Sequence, residues 1–129
     1  SMRLGATGHC HVPPAALTAW SDALERLARG PEALVRAVCC GAEGADQAFG
    51  AAMLRLGVPL ELVIPCAGYE AALGSVQARE TLRRLCDAAA AITTLPYPRP
   101  SEEAYLAAGA REEDLARING GAANANACW

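Results

Sequence analysis

Apolar positions along the chain alternate between short strand-like runs and longer stretches of helical period. Arg3-Leu4-Gly5-Ala6 predicts a short buried strand opening into a loop at Thr7-Gly8, although Gly5 weakens the strand propensity. Pro13 and Pro14 end that loop. Leu17, Trp20, Leu24 and Leu27 then recur every three or four residues, one buried stripe of a helix ending near Gly30-Pro31. The same grammar repeats. Residues 35–40 form a second β-rich run, Gly41-Ala42-Glu43-Gly44 a turn, and Ala45, Ala48, Phe49, Ala52, Met53 and Leu56 a second helical stripe closed by Gly57. A third strand, Leu60 to Ile64, stops at Pro65, and a loop through Ala67-Gly68-Tyr69 leads to a helix around Ala78, Leu82, Leu85 and Cys86. Residues 90–95 give a fourth strand before the proline-rich loop 96–100. A last helix starts at Ser101, an N-cap followed by Glu102 and Glu103, and runs to about Ile118.

Strands alternating with helices at this spacing imply right-handed βαβ crossovers. The expected fold is α/β: a Rossmann-like, three-layer α/β/α domain with a mostly parallel sheet of four or more strands. Ligands of such sheets bind outside the carboxyl ends of the strands, so loops 7–13, 41–45, 65–70 and 96–101 are the ones to watch. The expected domain spans residues 1–118. Residues 119–129 contain no β-branched run and predict an irregular or helical tail. Without the final strands a sheet edge lies bare, which predicts a homo-oligomer such as a dimer, or a tail packed over that edge.

Composition narrows the chemistry. The 129 residues fit one domain, and all eleven cations are Arg, which excludes a Walker-type phosphate lysine and a Schiff-base lysine. A net charge of -3 without an Arg cluster argues against a large nucleic-acid surface. The six Cys include no CxxC pair, and Cys39, Cys40 and Cys86 read as small buried hydrophobes of a reducing compartment. No apolar run reaches the ~20 residues of a membrane span, and no signal peptide is visible, so a cytoplasmic location is expected.

The segment Cys40-Gly41-Ala42-Glu43-Gly44-Ala45-Asp46 lies between a strand and a helix, where two glycines let helix N–H groups approach a ligand. Together with Ala6-Thr7-Gly8-His9 it resembles the SLOG superfamily, the Rossmann-like group of the cytokinin-activating LOG proteins and the DNA-processing protein DprA. The likeness is to small bacterial members with a TGH(R) motif and a GAD-like loop. Residues 65–70 and 104–109 are similar too. The resemblance implies binding of a nucleotide or nucleotide-derived ligand and, in the LOG branch, cleavage of an N-glycosidic bond. The chain departs from that pattern at Cys10, where an Arg often stands, in lacking PGGxGTxxE, and in its carboxyl-terminal end.

Thr7, Gly8, His9, Gly41, Ala42, Glu43, Gly44, Asp46 and Tyr69 are therefore the candidate ligand-binding residues, with Tyr69 stacking on a base and Glu70 helping to close the pocket. Carboxylates repel phosphate, so Glu43 and Asp46 suit sugar hydroxyls or a base amine, and Asp46 alternatively complements the helix dipole. In a glycosidase they are the catalytic candidates. Arg79 and Arg99 are phosphate candidates by elimination. His9, Cys10 and His11 do not space as a metal site, and no cofactor is expected. The remaining alternatives are a nucleotide N-glycosidase and a degenerate domain used for protein interaction.

Overall fold

The computed structural model of the chain describes residues 2–7, 34–117 and 122–126, with Asp22 and Arg26. The elements are β1 (Met2–Thr7), β2 (Leu34–Cys39), α1 (Ala45–Arg55), β3 (Leu60–Ile64), α2 (Tyr69–Ala72), α3 (Val76–Ala88), β4 (Ala91–Thr94), α4 (Glu102–Arg117) and β5 (Ala122–Asn126). The fold is α/β and Rossmann-like in general shape. Of the helix expected over Leu17 to Leu27, Asp22 and Arg26 are described and are helical, and the other positions lie outside the described residues.

All strand pairs are parallel, in the order β4-β3-β2-β1-β5. From β1 to β4 each strand is laid outside its predecessor, and β5 returns to the far side of β1, so the strand order reverses between β1 and β5. Residues 122–126 thus correct the expected irregular or helical tail: Arg3 to Thr7 pair with Ala122 to Asn126. Main-chain bonding to β1 makes this strand where side-chain propensity does not. It also covers the edge whose exposure suggested a homo-oligomer.

Side chains alternate across the strands. Ala37, Cys39, Leu60 and Leu62 pack with Phe49, Ala52 and Met53 of α1, whereas Val38 and Val63 meet Ala108 of α4. Apolar burial contributes roughly 25 cal/mol per Å², and Phe49, Met53, Leu60, Leu62, Val38 and Val63 are its largest fully buried bodies. Both long helices after β3 start on serine caps. Ser75 Oγ accepts from the Ala78 amide at 3.0 Å and Ser101 Oγ from the Ala104 amide at 3.1 Å, each satisfying an N–H that the first turn leaves without a partner.

Candidate functional site

β1 and β2 run side by side, with Gly5 opposite Val38, so their carboxyl ends emerge together. Thr7 is the last residue of β1. Gly8 and His9, like Cys10 and His11, fall outside the described residues.

After β2 the chain makes the glycine-bearing turn. Gly41 has φ +72° and Gly44 φ +95°, backbone that L side chains rarely adopt. A Cβ at position 41 would also sit 2.6 Å from Leu82 Cδ1. Asp46, in the first turn of α1, holds the turn from inside: its Oδ2 accepts from the Cys40 amide at 2.9 Å and from the Ala42 amide at 3.0 Å. Gln47 ties the turn to α3, its Nε2 donating to the Gly41 carbonyl at 3.0 Å and the Ala78 carbonyl at 2.8 Å. The Cys40 and Ala42 amides are thus committed to Asp46, whose geometry is that of a positioning residue.

Over this turn lies a cavity of about 310 Å³. Cys40, Ala42 and Glu43 come from the end of β2, Pro65 and Tyr69 from the end of β3, and Tyr105, Ala108 and Glu112 from α4. Leu73 and Gly74 close one side; a Cβ at 74 would stand 3.2 Å from Glu43 Oε1. Tyr69 and Tyr105 meet edge to face, with ring centroids 6.2 Å apart and planes at 64°. Of the candidate residues, Ala42, Glu43 and Tyr69 line the cavity directly, while Gly41, Gly44 and Asp46 shape the turn beneath it. Glu70 points elsewhere: it pairs with Arg83 along a neighbouring open groove. The loop 96–101 contributes no wall, and Tyr97 instead packs against the cluster of Cys66, Tyr69, Leu82 and Ala104. Arg79 donates to the Leu73 carbonyl at 3.0 Å, and Arg99 is exposed. Neither reaches the cavity walls.

Glu112 is the residue that sequence reasoning missed. It lies four residues after Ala108 and eight after Ala104, both buried, and is itself only 3% exposed. The run Glu112-Glu113-Asp114 reads as a solvated charged face; only the i, i+4 spacing from Ala104 and Ala108 points it inward.

Burial dominates the electrostatics. It pushes the Asp46 carboxyl above its ordinary value despite the amides that favour the anion. It raises Glu112 further, with the nearby Asp46 charge adding to the effect and a bond from the Cys40 thiol opposing it. The Asp46 Oδ1 and Glu112 Oε1 atoms are buried without a hydrogen-bond partner. Desolvation likewise raises the Cys39 and Cys40 thiols, so neither is an activated nucleophile. Cys39 is a buried core residue as expected, whereas Cys40 is half-buried on the cavity wall and Cys86 half-buried beside α3's core contacts. Burial keeps the Tyr69 phenol protonated. Among the described residues, no group of three His, Cys, Asp or Glu is arranged to hold a metal ion, and no helix is long and apolar enough to cross a membrane.

No protein-family model matches the chain, and no curated protein matches it. The functional reading therefore rests on the cavity at the ends of β2 and β3 and on the chemistry of its walls.

Proposed function

We propose that this chain binds a nucleotide or nucleotide-derived ligand at the carboxyl ends of its parallel strands, as a three-layer α/β/α domain of the SLOG type. The observation that carries the reading is the cavity itself: it opens where β2 and β3 end, on the carboxyl-end side from which parallel α/β sheets receive ligands, and two tyrosines form part of its wall. The base and ribose enter it. The phosphate stays outside, because no Arg among the described residues lines the cavity and the Cys40 and Ala42 amides are already bound. Thr7, Gly8 and His9 are the residues that the sequence leaves to meet it. Thermal unfolding with nucleosides and nucleoside monophosphates tests this. A ligand at 100 times its Kd stabilises by about 2.7 kcal/mol, and Tyr69→Ala should abolish the gain. If no member of either series raises the melting temperature, the proposal fails.

A second reading, cleavage of the N-glycosidic bond, is favoured by two carboxyl groups on one cavity. Glu112, held protonated by burial, is suited to protonate a departing base, and Glu43, the less buried of the two, to steady the sugar's developing positive charge while a water molecule adds its hydroxyl to the anomeric carbon and gives up a proton. Free base should then accumulate in proportion to protein when nucleoside monophosphates are supplied, and production should fall at least about a hundredfold in Glu43→Ala. Absence of base release from the wild-type chain leaves binding without turnover.

A further inference from the structure

Gln47, buried in the first turn of α1, does not line the cavity, yet its side-chain amide joins two segments that do. An amide nitrogen carries two N–H donors, and here both are used. One goes to the Gly41 carbonyl at 3.0 Å, next to the wall residues Ala42 and Glu43. The other goes to the Ala78 carbonyl at 2.8 Å, in the first turn of α3. That same turn holds a second wall, because Arg79 donates to the Leu73 carbonyl at 3.0 Å and Leu73 and Gly74 line the cavity. The two walls nearly meet: a Cβ at 74 would stand 3.2 Å from Glu43 Oε1. A small relative movement of the two segments therefore narrows or widens the cavity at this place.

We infer that Gln47 is a positioning residue of the binding site: it fixes the spacing between the wall at 42–43 and the wall at 73–74, so that a ligand meets a cavity already at its final width. This rests on the nucleotide reading above and deepens it by naming the group that preorganises the site. A site held in its bound form spares the ligand the cost of ordering it. Loss of both donors frees the turn and the start of α3 to move apart, and apparent affinity falls by the fraction of time the fitting form is kept.

The test is calorimetric titration of the intact chain with adenosine, guanosine, cytidine and uridine. The nucleoside that binds most tightly should lose about tenfold in affinity in Gln47→Met, which keeps the reach of the side chain and removes both donors. Val58→Ala is the comparison. It opens the core just before β3, at the end of the sheet away from the cavity, and should lower the melting temperature while leaving the affinity of the wild type. A Gln47 that only stabilised the fold would behave as Val58 does. Gly74→Ala probes the same spacing from an exposed position: its methyl group presses on Glu43, and it should weaken the same nucleoside even where Gln47→Met does not fold. Wild-type affinity in a folded Gln47→Met overturns the inference and leaves nucleotide binding standing, and so does wild-type affinity in Gly74→Ala when Gln47→Met is unfolded. An equal loss of affinity in Val58→Ala overturns it too, since general destabilisation then accounts for the effect. If the wild-type chain binds none of the nucleosides, the nucleotide reading falls and this inference with it.

Discussion

Asp46 and Glu112 show how one chemical group, the buried carboxyl, serves two ends. Asp46 supplies the acceptor that two turn amides require, and Glu112 brings a carboxyl into an apolar wall. Both are raised above their ordinary values, 3.8 and 4.5, by burial. The folded chain therefore holds protons that the unfolded chain has released. Stability contributed by these protons is complete at acidic pH and is lost as pH rises through about 7 for Asp46 and about 9 for Glu112. Chemical denaturation at a series of pH values should show stability declining between roughly pH 5 and 9. Asp46→Asn should flatten the lower part of the slope and Glu112→Gln the upper part. A stability that climbs across this range would contradict the assignment.

At the scale of elements, legibility followed the strength of local signals. β3 could be read to the residue because an apolar run with β-branched Val63 and Ile64 lies between Pro59 and Pro65. The start of α4 was equally plain, since Ser101 followed by two glutamates is a capping signature and the bond to Ala104 is present. The turn at 41–44 announced itself through its glycines, but its internal wiring did not: that Asp46 consumes two amides depends on the angle at which α1 leaves the sheet. β5 carried no signal at all. Ala122-Ala123-Asn124-Ala125-Asn126 has nothing that favours a strand, and its conformation comes from the free main-chain groups of β1 beside it. Glu112 was hidden for a related reason, because its meaning depends on what α4 faces and its sequence neighbours are acids.

At the scale of the whole molecule, β5 decides where the sheet ends. With β5 in place, the outer margin beyond β1 is formed by a five-residue strand, and the opposite margin is the four-residue β4. Short edge strands limit pairing between molecules. Removing residues 119–129 would uncover the main-chain groups of β1. Light scattering should then show larger species than for the full chain, together with a lower melting temperature. If the shortened chain keeps both the size and the melting temperature of the parent, β5 adds nothing to cohesion, and the case for a self-associating edge fails.

The pairing of Arg3 with Ala122 has a further consequence in time. These partners lie about 120 positions apart in the sequence, so β1 must wait for all of that intervening stretch to be made before its second neighbour emerges from the ribosome. Contacts of such long sequence separation form late and slowly. During that interval the nascent chain presents one unsatisfied strand margin to its surroundings.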